Sequence, residues 1–433
     1  MKTVSILFLS VVLVLLTACG DSNEKKKAES TTQPDIVPTK VEPVNLPEPY
    51  ATKSVKNTTK VMGWPEGKTP VAPDGFVVTK FADSLDHPRW IYVAGNGDIF
   101  VAEANSAKSV LDKVTGKNKS ADRITLFRDA NNDGIPEVRN TFINNLDKPF
   151  GMLAIGNKFY VANTGAVVEY PYTSGSTSIT VTGKQIVSLP ADVKQRHWTK
   201  NIVSNADHSK LYISVGSSSD HAENGIDKET RRANILEVNM DGSGEKVFAS
   251  GLRNPVGMAW APGTNTLWTA VNERDELGDD LVPDYLTSVK EGGFYGWPYS
   301  YYGQHEDPRL KDRQQPELVK KAIIPDVPLG SHTASLGLVF YTGNSFPQQY
   351  HHGAFIGQHG SWNSSLLRGY KVVFVPFKDG KPAGVPENFL TGFIANESKS
   401  EVFGRPVGVA VLKDGSLLVA DDAGNKLWRV SKK

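Results

Sequence analysis

The chain has 433 residues with 48 basic and 47 acidic side chains, a formal net charge of +1. That balance, without a basic tract or tail, excludes a surface built to hold nucleic acid. Cys19 is the single cysteine, so no internal disulfide is possible, and the lack of a CxxCH excludes covalently attached haem.

Met1 and Lys2 make a short basic start, followed by an apolar run from Val4 to Leu16. The run is too short to cross a hydrocarbon core, which takes about 20 residues. It ends in Leu16-Thr17-Ala18-Cys19, the pattern of a lipoprotein signal peptide over 1–18, cleaved before Cys19. Cys19 then carries the lipid. Gly20, not an aspartate, follows it, so the usual inner-membrane retention signal is missing, and the expected place is the outer membrane facing the periplasm. Residues 19–57 are rich in Lys, Glu, Ser, Thr and Pro and poor in large apolar residues. Such a stretch buries too little surface to offset its ordering entropy and is expected to be a tether. The remaining 58–433 form one domain.

That domain repeats itself. Six openings place a basic residue near a proline or glycine: His87-Pro88-Arg89-Trp90, Lys148-Pro149-Phe150-Gly151, His197-Trp198-Thr199-Lys200, Arg253-Asn254-Pro255-Val256-Gly257, His332-Thr333-Ala334-Ser335-Leu336-Gly337 and Arg405-Pro406-Val407-Gly408. After each comes a short β-branched or aromatic run bounded by turn residues: 98–103, 158–163, 210–215, 266–271, 354–358 and 416–421. Six sheet units with no helical stretch between them predict an all-β fold, a six-bladed β-propeller with long inter-strand loops. If each opening starts an innermost strand, His87 or Arg89, Lys148, His197, Arg253, His332 and Arg405 converge at one mouth. So many cations repel one another unless an anion sits among them. A pocket for a small polyanion is therefore expected.

Several motifs in order carry a resemblance: Gly251-Leu-Arg-Asn-Pro-Val-Gly257, Asn272-Glu-Arg-Asp-Glu-Leu277 and Gly293-Phe-Tyr-Gly-Trp-Pro298, with Gln358-His-Gly-Ser-Trp-Asn363 and Gly404-Arg-Pro-Val-Gly408. From about Gly75 to Val430 the chain resembles the quinoprotein glucose/sorbosone dehydrogenases, and the last two motifs resemble the sorbosone branch. The resemblance implies a six-bladed propeller binding pyrroloquinoline quinone (PQQ), a planar orthoquinone with three carboxylates, with a bridging calcium. Arg253, Asn254 and Arg405 would then meet the quinone's carboxylates and carbonyls, and Thr333 or Ser335, Lys148, His332 and His359 would complete the cradle. The loop Glu273-Arg274-Asp275 would offer backbone carbonyls to the calcium, with Trp297 buttressing that loop. His197 would be the general base, an imidazole suited to taking a hydroxyl proton near neutral pH. The implied activity is oxidation of a sugar or sugar-derived aldehyde or alcohol, with electrons leaving to a separate acceptor. The final unit departs from the glucose enzymes, with Val407 where they use a second arginine. Sugar specificity is therefore not carried over.

Other features are read from the residues alone. Asp129-Ala-Asn131-Asn-Asp133-Gly134 matches the start of a calcium loop, but Glu137 lies too near for the full loop, and an Asx-rich turn explains it as well. Ser217-Ser218-Ser219-Asp220-His221 reads as a polar loop, not a hydrolytic triad. Tyr299, Tyr301 and Tyr302 fit either a sugar-stacking rim or packing under a long loop. Two rival functions stay open: a non-catalytic binding propeller and a calcium-dependent propeller lactonase, whose channel should be lined with acids. A tethered, closed propeller needs no partner subunit, so a monomer is expected.

Overall fold

The six apolar runs become the second strands of six antiparallel sheets, because each alternates side chains into two packed faces and is punctuated by Gly, Asn or Asp. The structure, a computed structural model, describes residues 45–106, 120–131, 133–191 and 197–433. The signal peptide, Cys19 and most of the tether lie outside them.

The first strands of the sheets are Pro88–Val93, Met152–Ile155, Ile202–Ser204, Pro255–Trp260, Val339–Phe340 and Pro406–Val411. Each pairs with the run that follows it, and two further strands complete a four-stranded order. In the sixth sheet the fourth strand is not the next in sequence. Phe76–Ala82, from the start of the domain, pairs antiparallel with the C-terminal Lys426–Lys432. The third sheet gains a short parallel strand, Gly293–Phe294. Among the described residues, helix is confined to short turns such as Pro308–Arg313 and Pro316–Val319.

Packing follows the same order around the molecule. Six hydrophobic clusters among the described residues each lie between consecutive sheets. Phe100 and Phe142 of the first sheet meet Phe159 of the second with ring centroids 4.9 and 5.1 Å apart. Phe81 and Leu418 of the sixth sheet share a cluster with Ile91, Val101 and Phe127 of the first. Removing one such fully buried ring costs about 3–5 kcal/mol. The first strands also touch in cyclic order, the sixth against the first.

The repeated opening has a local cause. Pro88, Pro255 and Pro406 begin first strands, where a residue without an N–H is tolerated, and each is followed by a bulge in the pairing with the second strand. The glycines lie where neighbouring first strands approach. A Cβ on Gly337 would fall 2.1 Å from the Val407 carbonyl, and one on Gly408 would fall 2.7 Å from that of Arg89.

The stretch expected as tether runs to residue 57, and its last described part is fastened to two loops. The Tyr50 N–H donates to the Leu277 carbonyl, and the Asp279 N–H to the Thr52 hydroxyl. The Asn57 N–H donates to the Trp362 carbonyl at 2.8 Å.

Candidate functional site

Antiparallel pairing puts the start of every first strand beside the end of every second strand: Pro88 faces Glu103, Pro255 faces Val271 and Pro406 faces Asp421. The basic openings therefore share one end of their sheets with the residues that close the second strands. Contacts join them across sheets. The Arg89 guanidinium lies 5.5 Å from the Trp198 ring, and Trp198 meets Phe150 edge-on at 6.3 Å.

The cations at this mouth are not all bare, because carboxylates from neighbouring sheets meet Arg89, Arg253 and His332. Asp220 is one hub. It accepts from Arg253 Nη2 at 2.7 Å, from Arg309 Nη1 at 3.3 Å and from the Asp275 N–H at 3.1 Å. Its carbonyl accepts from Arg253 Nε and from the Trp297 indole at 2.9 Å. Burial works against its charge, but Arg253, His221, Arg309 and the Asp275 N–H outweigh it and hold the carboxyl well below the usual range. Arg253 directs its other guanidinium N–H groups to the carbonyls of Asn272 and Glu273, at 3.0 and 2.6 Å. His332 is enclosed by the Asp275 carboxylate at 3.1 Å and the Gly278 carbonyl at 2.8 Å. Burial lowers its pKa, but Asp275 more than reverses that, which favours the imidazolium.

Asp422 is the second hub. It pairs with Arg89 and lies 2.9 and 3.0 Å from His359 Nε2. Burial, helped by Arg405, pushes the His359 pKa down to about 4 against the pull of Asp422, so its ring is neutral. Burial also opposes the charge of Asp422, but Arg89, Arg405 and the hydrogen bond from the neutral His359 ring keep it ionised. Arg405 donates to the carbonyls of His359 and Gly360 at 2.9 and 2.6 Å, and stacks on Tyr370. Lys148 is a third exposed, 3.8 Å from Asp147. Lys200 is fully buried, and among the described residues its ammonium reaches only the carbonyls of His197 and Trp198, at 3.4 and 3.3 Å. Desolvation brings its pKa down to about 7.

His197 is held on the polar run 217–220 that ends in Asp220. Its Nδ1 is 2.9 Å from the Ser217 carbonyl, which can only accept, so Nδ1 carries a hydrogen, and a neutral ring would have its lone pair on Nε2. Beside it, a Cβ on Gly216 would fall 2.3 Å from Asn254 Oδ1 and 2.6 Å from His197 Cβ, so only glycine leaves room for both side chains. Asn254 Oδ1, Gln358 Oε1 and Arg89 Nε are buried without a hydrogen-bond partner. The orphaned Arg89 N–H and the cations Arg405 and Lys148 fit an anionic guest such as the quinone, whereas the orphaned Asn254 and Gln358 oxygens call for a donor from the guest.

The remaining expected residues belong to the framework around this mouth. Asp284 is fully buried; it accepts from the Glu273 N–H, the Thr333 hydroxyl and the Ser335 N–H, at 2.8, 2.9 and 2.7 Å. Desolvation raises its pKa to about 7. Arg274 is buried against Glu273 and Asp307. The carbonyls of Glu273 and Asp275 accept from Arg253 and Arg309, so they do not fit a calcium ion while those bonds stand. Tyr301 and Tyr302 are buried in the core between the third and fourth sheets, as packing and not as a rim. Far from the mouth, Asp129, Asn131 and Asp133 accept from the N–H groups of their own loop at 2.7–3.1 Å. No group of three or more His, Cys, Asp or Glu that could hold a metal occurs among the described residues.

Asp220, Asp284, Arg309 and Asp422 were not legible as site residues. Two weak signals existed. Asp220 closes the polar run after the second strand of the third sheet, and Asp422 follows the second strand of the sixth.

A cycle of antiparallel sheets whose charged residues gather at one end defines a β-sheet protein with a terminal polar site, unlike a nicotinamide-binding α/β enzyme. A family model described as TrAA12-like matches residues 70–286 and 305–433, and the chain belongs to that family. An uncharacterized protein of Borreliella burgdorferi is 28% identical over 370 residues, 83% of this chain and 89% of the relative. Among solved structures, the iodide structure of the Trichoderma reesei carbohydrate-active enzyme of family AA12 is similar at 19% identity and a TM-score of 0.69. The holo form of the PQQ domain of Coprinopsis cinerea pyranose dehydrogenase is similar at 19% identity and a TM-score of 0.68. Each likeness covers 87% of this chain and 100% of the other, and shows a shared, nearly all-β fold.

Proposed function

We propose that the chain is a PQQ-dependent oxidoreductase on a closed six-bladed propeller, oxidising a sugar or a sugar-derived aldehyde or alcohol. The cyclic packing of the sheets and the pairing of Phe76–Ala82 with Lys426–Lys432 support the closure. Family membership supports the chemistry. The observation that carries the reading is His197, whose Nδ1–H is held by Ser217 beside the orphaned Asn254 amide.

Bound quinone would supply the hydride acceptor. Arg405, Lys148 and Asn254 would hold it, with Arg89 Nε as a further donor. Ser217 fixes the His197 tautomer, so that Nε2 takes the proton of a substrate hydroxyl. General-base action of this kind contributes about 10²–10⁴-fold. Gln358-His359-Gly360-Ser361-Trp362-Asn363 supports a sorbosone-type substrate within the sugar class. A lipid on Cys19 would hold the enzyme at the outer membrane, with a separate carrier taking the electrons.

The test is a titration of the quinone-free protein with PQQ, followed by dye reduction over a panel of aldoses and aldehydes. One-to-one binding with turnover, and His197→Ala losing turnover by about 10²-fold or more while still binding, is the expected result. Failure to bind the quinone would overturn the reading in favour of a non-catalytic binding propeller, which the internal neutralisation of Arg253 and Arg89 would suit.

A further inference from the structure

The stretch 272–275 is held by three cations from three different segments. Arg253 takes the carbonyls of Asn272 and Glu273, at 3.0 and 2.6 Å. His332 takes the Asp275 carboxylate. Arg309 takes the Asp275 carbonyl at 3.0 Å, and the same Nη1 lies 3.3 Å from the Asp220 carboxylate. Arg309 is itself anchored, since its Nε and Nη2 donate to the two Asp307 oxygens at 2.9 and 2.7 Å. Asp307 in turn is buried against Arg274 at 2.9 Å. The guanidinium is therefore a fixed charge with a second layer behind it, placed on a backbone carbonyl and a carboxylate. Those are hard oxygen donors of the kind a calcium ion would take. A guanidinium and a dication cannot share them, because the two would repel at contact distance.

We propose that Arg309 supplies at this loop the fixed positive charge that calcium would otherwise provide, so that this chain binds PQQ without added calcium. The proposal rests on the quinone reading above. Arg309 acts as a positioning residue: it holds Asp275 and Asp220, which hold His332 and Arg253. A point charge on a flexible stem does not reproduce a planar fork held by two carboxylates.

The experiment titrates PQQ into quinone-free protein and follows tryptophan fluorescence, in a chelator and in millimolar calcium. Wild type is expected to bind equally under both conditions, within about threefold. Arg309→Ala is expected to weaken binding in chelator by about tenfold or more, with calcium restoring part of it, and Arg309→Lys to fall between. Circular dichroism and the melting temperature of each variant separate a lost site from a lost fold. If Arg309→Ala does not fold, wild type alone still decides. Binding by wild type only in calcium would overturn the proposal and leave the quinone reading standing. No binding under either condition would overturn both.

Discussion

The two acid hubs of the mouth are built from the same residue types and carry different loads. Asp220 meets two arginines, and the one it holds most closely, Arg253, is 2% exposed. Asp422 meets one arginine, whose side chain is 13% exposed, and a histidine that burial already keeps neutral. A carboxylate facing an enclosed guanidinium, as Asp220 faces Arg253, stabilises a charge that has nowhere else to go. A carboxylate facing one partly wet guanidinium and a neutral ring does not. The Asp220 half is thus framework, and the Asp422 half, beside Arg405, is where a guest can still find donors.

Breaking the comparison at its strongest point gives the largest effect. Asp220→Ala strands Arg253, while Arg309 keeps Asp307, and removing one partner of a buried pair costs about 3–5 kcal/mol. A loss of unfolding free energy of that order in urea titration, or failure to fold, is expected. Asp422→Ala should lose less than half as much, because Arg89 reaches water. Equal losses in the two variants would erase the distinction between the hubs.

Arg405→Ala sharpens the other side. Its guanidinium donates to carbonyls, not to a carboxylate, so stability should change little while PQQ affinity falls about tenfold to a hundredfold, the usual contribution of a hydrogen bond to a charged group. A melting temperature lowered as far as in Asp220→Ala would assign Arg405 to the framework.

The smallest effects are in the pH dependence of stability, where two buried groups give opposite slopes. The folded Asp284 carboxyl titrates near 7, above its ordinary 3.8, so folded protein keeps a proton that unfolded chain has lost. Its contribution falls as pH rises from about 4 to 7, and Asp284→Asn should flatten that segment. Lys200 runs the other way. Its folded value of about 7 lies below 10.5, so the unfolded chain holds the extra proton. Its contribution rises with pH between those values, and Lys200→Met should remove the rise. A tenfold difference in proton affinity between folded and unfolded chain corresponds to about 1.4 kcal/mol. Urea midpoints measured across pH for wild type and both variants check the signs.

Much of the fold was legible because its signals are local. The runs at 98–103 and 416–421 alternate faces, end at turn residues and recur with the same opening, which is enough to count sheet units. His197, Arg253 and Arg405 stood out for the same reason, as basic residues repeated at one point of each unit. What was not legible is what neutralises them. Arg89 pairs with Asp422 across 333 residues, and Arg253 with Asp220 across 33. No local pattern encodes such partners, and Asp220 sat in a serine-rich run that reads as solvent-facing loop. The expectation of a bare cation ring came from seeing the bases and not the acids.

The sequence by itself determined the strands, their order and the positions of the basic openings, because hydrophobic periodicity and turn chemistry act over a few residues. Tertiary structure alone decided the rest. It brought Phe76–Ala82 against Lys426–Lys432, paired Asp220 and Asp422 with arginines from other sheets, and laid Arg309 on the Asp275 carbonyl. The physical reason is distance along the chain. A buried charge is stabilised by whichever group lies within a few ångströms, and that neighbour is set by how the sheets close on one another, not by which residue comes next.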